Sequence, residues 1–174
     1  YDAELESVRA KVLQMGGLVE QQIINALEAL VTANPKIAAE VMEADLKVNA
    51  LEVQVDEDCS HIIARRQPAA GDLRMIMMVV KTITDLERIG DEATKIARVA
   101  QKIYESDRLY KPRFTEIKSM VALVREMLRT SLDAFARLDA TKTADVARQD
   151  EQVDEQFRAA MRQLITFMLE DPRT

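Results

Sequence analysis

The chain has 174 residues, of which 48% are hydrophobic and 31% charged, with 4 Gly, 4 Pro, no Trp and a net charge of −6. That composition, rich in helix formers and poor in aromatic and turn residues, points to an all-α protein and away from a sheet fold. The acidic balance excludes a general nucleic-acid binder, and no apolar run reaches the ~18–20 residues that a membrane-spanning helix requires.

A first helix is expected over 3–32. Its buried face is Leu5, Val8, Val12, Met15, Val19, Ile23, Ala26 and Leu30, mostly at three–four spacing. Gly16-Gly17 could loosen that helix or admit a close neighbour. Asn34-Pro35 ends it and starts the next, with Asn as the cap and Pro at the first helical position. The second helix is expected over 35–65, with Val41, Ala44, Val48, Leu51, Val55, Cys59 and Ile62 as its seam. One position round lies a polar stripe of Asp45, Asn49, Glu52 and Asp56.

The break at Gln67-Pro68-Ala69-Ala70-Gly71-Asp72 is short, so the second and third helices should run antiparallel as neighbours. The third helix is expected from Pro68 or Asp72 to Tyr104. Its seam runs through Ile76, Val79, Ile83, Leu86, Gly90, Ala93, Ala97, Ala100 and Tyr104. Beside that seam, Glu87 and Asp91 stand one turn apart, flanked by Thr84 and Thr94.

After a polar connection over 105–114, the chain repeats itself. Shifted by 105 residues, Val12, Met15, Val19 and Ile23 fall on Ile117, Met120, Val124 and Leu128. Val41, Asp45, Val48 and Asn49 fall on Val146, Asp150, Val153 and Asp154. Recurrence of both core positions and an acidic pair is the pattern of a duplicated three-helix unit. The units are set at 1–106 and 107–174, the second with two helices. On this reading a third helix, carrying its own counterpart of Glu87 and Asp91, follows Thr174. Apolar surface is then left bare around Phe135, Phe157, Met161 and Phe167, to be covered by a neighbour or by a second copy.

Two chemistries fit the acid stripes. Clustered carboxylates repel one another unless something positive joins them, and oxygen-only ligand sets suit hard cations. Alternatively, the stripes are solvated and paired with Arg65, Arg66, Arg74, Arg88, Lys95 and Arg98, as surface charges commonly are. The di-iron bundles use Glu-x-x-His pairs. Here the single histidine, His61, lies three after Asp58 and has no partner, which argues against redox chemistry. Ser60 and Ser131 lack a histidine arrangement, and the single cysteine, Cys59, falls on the core seam. No catalytic residue and no organic cofactor site is assigned.

Several segments carry a family resemblance. They are Ile62-Ile63-Ala64-Arg65-Arg66-Gln67-Pro68, then Asp72-Leu73-Arg74, then Asp85-Leu86-Glu87-Arg88-Ile89-Gly90-Asp91. To these add Met15 to Glu20, Asp56 to Cys59, Leu132 to Arg137 and Met168 to Thr174. In this order they resemble the PhoU family, the regulators of bacterial high-affinity phosphate transport.

The resemblance implies tandem three-helix bundles, the second lacking its last helix here, with Glu/Asp-x-x-x-Asp motifs that bind metal. Glu87-x-x-x-Asp91 matches directly. Glu52-x-x-x-Asp56 and Asp150-x-x-x-Asp154 fit the spacing, and Asp45-x-x-x-Asn49 departs from it by a neutral amide. The implied metal is divalent or iron-type (Fe, Zn, Mg or Mn). Also implied are a homodimer without a reaction of its own and a place in the cytoplasm, peripheral to the inner membrane through its partners. Those partners would be the ATPase subunit of the phosphate ABC transporter and the phosphate sensor histidine kinase. The readings set against it are a carboxylate-bridged di-metal enzyme and a metal-free structural adaptor.

Overall fold

The computed structural model describes residues 2–106 and 114–170. It contains helices α1 (Asp2–Thr32), α2 (Pro35–Arg66), α3 (Ala70–Glu105), α4 (Thr115–Arg137) and α5 (Thr143–Glu170), with a 3-10 turn at Ala140–Lys142. No strand occurs among the described residues, so the all-α expectation holds. The chain divides into two compact units, Tyr1–Tyr110 and Lys111–Thr174.

In the first unit α1, α2 and α3 each pack on both of the others. The expected seams form the core: Val12, Met15, Val19, Val41, Val48, Val55, Ile76 and Ala97 are sealed from solvent. Leu5, Ala44, Leu51 and Tyr104, placed on seams by spacing, are half-buried instead because they stand at the edge of the three-helix contact. Tyr104 uses that position: its hydroxyl donates to the Leu30 carbonyl at 2.5 Å, tying the end of α3 to α1.

Helix boundaries follow local chemistry. Asn34 accepts from the Lys36 amide at 3.0 Å, with Pro35 opening α2 as the sequence suggested. At the other end Gln67 takes a left-handed backbone (φ 46) and its amide closes back on the Ile63 carbonyl. The helix α3 starts at Ala70, between the two starts expected, with Ala69 as a cap that makes no side-chain hydrogen bond. Gly16 and Gly17 do not interrupt α1: Gly16 is buried in the packing, and a side chain at 17 would meet open space.

The second unit is an antiparallel pair, α4 against α5. Leu128 alone among its described residues is buried. Phe157, Met161 and Phe167 are exposed as anticipated, while Phe135 is half-buried, a correction that reflects contact between the two helices. The expected connection over 105–114 falls mostly outside the described residues, as do the residues after 170.

Candidate metal site

The acids singled out by spacing are treated unequally by the fold. Residues three and four apart share a helix face, so Asp45, Asn49 and Glu52 form one strip along α2. Glu87 and Asp91 form another along α3, which packs against α2. All five are half-buried. The Glu87 carboxyl is held above the usual carboxylate range, first by burial, then by the charges of Asp91, Glu52 and Asp45, with Arg88 opposing. That ordering is the electrostatic sign of a cluster assembled from two helices.

Asp56 belongs to the outer rim: it is exposed, and its charge is felt by Cys59. Asp150 and Asp154 are exposed on α5, where Asp154 pairs with Arg158 at 3.4 Å. The structure therefore gathers Asp45, Glu52, Glu87 and Asp91 and leaves the other three apart.

The cations nearest this cluster, Arg88 and Lys95, are felt there at a distance but form their ion pairs elsewhere. Arg66 pairs with Glu4 at 3.1 Å, Arg88 with Asp85 at 3.8 Å, Lys95 with Glu92 at 2.7 Å and Lys11 with Asp58 at 2.6 Å. Among the described residues no ion pair reaches Asp45, Glu52, Glu87 or Asp91. The reading in which the stripe is absorbed by neighbouring Arg and Lys thus fits the second unit's Asp154 better than the first unit's cluster.

Beside the acids stand buried polar groups, Asn49 and Thr94, already marked by spacing, and Gln22, which the sequence did not single out. Gln22 of α1 is 1% exposed. Its Nε2 donates to Asp45 Oδ1 at 3.2 Å and to the Val41 carbonyl at 3.3 Å, while its Oε1 has no donor. Thr94 Oγ1 and Asn49 Oδ1 are likewise buried without a partner among the described residues. A buried acceptor left without a donor costs about 1–3 kcal/mol, so such groups call for a reason. A signal for Gln22 did exist: the series Val8, Val12, Met15, Val19, Gln22, Ala26 and Ala29 keeps strict three–four spacing.

Carboxylates backed by unpartnered amide and hydroxyl oxygens suit Mg²⁺, Ca²⁺, Mn²⁺ or iron, and fit zinc less well because no histidine or thiolate joins them. The donor set therefore fits a hard cation. Among the described residues, however, no three acid, histidine or cysteine groups converge tightly enough to hold an ion as they stand. His61 is exposed. Cys59 is buried, with its thiol pushed up to about 11 by burial and by Asp56 and Asp58, which makes it an inert core residue. A surface depression of about 240 Å³ beside the α1–α2 turn is lined in part by Asn34, Ala100 and Tyr104 and contains none of these acids.

Comparison with known proteins decides the family. The PhoU domain matches residues 12–100 and again residues 117–174. The chain belongs to the PhoU family. It is 48% identical to the phosphate-specific transport system accessory protein PhoU homolog of Pseudomonas putida, over 100% of this chain and 68% of that protein. It is 44% identical to the phosphate-specific transport system accessory protein PhoU of Escherichia coli K12, over 100% of this chain and 71% of that protein. The crystal structure of PhoU from Pseudomonas aeruginosa superposes with a TM-score of 0.93 at 46% identity, covering 99% of this chain and 82% of that one. The phosphate transport system regulatory protein PhoU from Streptococcus pneumoniae gives 0.86 at 27% identity, over 98% and 79%. Each of the two PhoU matches lies within one of the two units.

Proposed function

We propose that this chain is an accessory regulator of high-affinity phosphate uptake, with no reaction of its own, and that its first bundle carries a divalent or iron-type cation. The observation behind the regulatory role is the match of both halves to the PhoU domain, together with relatives named as accessory proteins of phosphate-specific transport systems. No helix among the described residues is long and apolar enough to cross a membrane, which suits a protein that meets a transporter from outside the bilayer. Its partners are the ATPase subunit of the phosphate ABC transporter and the phosphate sensor histidine kinase. Acting between them in the cytoplasm as a homodimer, it holds the starvation response off while phosphate is plentiful.

The cation reading is supported by four half-buried carboxylates that no ion pair reaches among the described residues. Glu87 and Asp91 are its principal ligands, with Glu52 and Asp45 facing them from α2. Asp56, Asp150 and Asp154 hold weaker claims because they are exposed. A di-metal enzyme would ordinarily add histidine ligands, and the single histidine, His61, is exposed.

Elemental analysis of protein purified without added metal or chelator tests the site. Bound Fe, Mn, Mg or Zn that is lost in Glu87→Ala/Asp91→Ala is expected; unchanged metal content would remove these two as ligands. Co-purification with the transporter ATPase subunit tests the regulatory role, and absence of any association with that subunit or with the kinase would defeat it.

A further inference from the structure

Position 22 is a seam position, and an apolar side chain there would fill the core without leaving an acceptor bare. The chain places glutamine instead. Both hydrogens of its amide are used, one on the Val41 carbonyl and one on Asp45 Oδ1. Its Oε1 is turned toward Gly90, where an added Cβ would come within 2.8 Å of Oε1 and 3.3 Å of Asp45 Oδ1. Three helices thus meet at one polar node: Gln22 from α1, Asp45 from α2 and Gly90 from α3.

We propose that Gln22 is the positioning residue of the carboxylate cluster, holding Asp45 toward Glu87, and that Gly90 is glycine so that Gln22 keeps its place. This deepens the cation reading above and rests on it. Among the described residues no ion pair reaches Asp45, and the neighbouring carboxylates repel it toward solvent. An amide donor on a sealed side chain opposes that drift. Being neutral, it orients the carboxylate without cancelling the charge that a cation would use; lysine or arginine at 22 would orient and neutralise together. Donors of this kind behind a ligating carboxylate typically matter by ~10–100-fold in metal affinity.

Gly90 fits the same account. Glycine inside a helix is unfavourable relative to alanine, so its presence needs a local reason. The atoms an alanine would meet are the ends of two flexible side chains, not backbone. Gly90→Ala should therefore leave α3 intact while displacing Gln22 and Asp45.

The test is titration of the whole chain with Mn²⁺ by calorimetry, on the natural sequence, Gln22→Met, Gly90→Ala and the double variant. Each single variant is expected to bind Mn²⁺ about 10–100-fold more weakly. The double variant should be no weaker than the weaker single, because both changes break one contact. Unchanged affinity in Gln22→Met, or losses that add in the double variant, would overturn the proposal. Should Gln22→Met not fold, Gly90→Ala carries the comparison alone, and unchanged binding there overturns it. A natural sequence that does not bind Mn²⁺ at all overturns this proposal, while the elemental analysis described above decides the cation reading separately. In the metal-free chain, the Gln22 side-chain amide resonances should shift on Asp45→Asn; no shift would deny the contact.

Discussion

The two repeats carry the same seam and bury it to different depths. Val12, Met15 and Val19 are sealed in the first unit, whereas their counterparts Ile117, Met120 and Val124 keep partial exposure, Ile117 reaching 36%. Val41 and Val48 are sealed, and Val146 and Val153 are not. Only Leu128 matches its equivalent, Ile23, both at 8%. The difference lies in the number of helices each seam meets. In the first unit every helix meets two others, and in the second each of the pair meets one. A seam as wide as these is satisfied by two neighbours, so apolar spacing states what a helix can bury and not what it does bury.

The same contrast separates the acids. In the first unit two packed helices bring Glu52, Asp45, Glu87 and Asp91 into one electrostatic cluster over a polar core layer. In the second, Asp150 and Asp154 stand on an exposed face, one of them already paired. Equal spacing therefore yields a candidate site in one repeat and a solvated stripe in the other.

Substitution at matched positions should expose the difference most strongly. Met15→Ala is expected to destabilise the chain by about 2–5 kcal/mol, the range for emptying a sealed core position, and Met120→Ala by about 1 kcal/mol. Equal losses in chemical denaturation would mean that the second seam is as well covered as the first. Next in size is Tyr104→Phe, which removes the hydrogen bond to Leu30 and should cost about 1 kcal/mol. Phe157→Ala, at a side chain 55% exposed, should stay within about 0.5 kcal/mol, and a larger loss would show that this face is covered in solution.

The smallest effect concerns Glu87, and its sign is opposite. Its native carboxyl is raised, so the folded state holds the proton more tightly than the unfolded chain does. Stability from this group is complete below the ordinary carboxylate value of 4.5 and is lost as pH rises through the raised native value. At neutral pH Glu87→Gln should then stabilise the metal-free protein, by about 0.2–0.5 kcal/mol for relief of the Asp91 repulsion. The gain should vanish in acid and reverse sign once a binding cation is added. Melting curves at pH 7 and near pH 4, with and without Mn²⁺, check both statements, and a variant no more stable at pH 7 would contradict the first.

Much of this architecture was legible in the order of residues. Helix limits fell within a residue or two because Asn34-Pro35 and the break after Arg66 act through neighbouring backbone groups. The seams followed from three–four spacing, and the duplication from comparing the chain with itself. The pairing of Glu87 with Asp91 needs only one helical turn.

Packing across helices decided the rest. Three–four spacing admits both Gln22 and the adjacent Ile23 to the seam of α1, and it is the approach of α2 and α3 that seals Gln22 to 1% against 8% for Ile23. Gly90 has a reason only once Gln22 and Asp45 stand beside it. The choice between Asp45, drawn into the cluster, and Asp56, left at the rim, depends on where α3 crosses α2. Arg66 reaches Glu4 across helices, whereas Arg88 and Lys95 pair with Asp85 and Glu92 three residues back on α3 itself. Periodicity and the one-turn ion pairs belong to a single helix and are written along the chain, whereas burial and the approach of acids from two helices are properties of the gaps between helices, which exist only after the chain has folded.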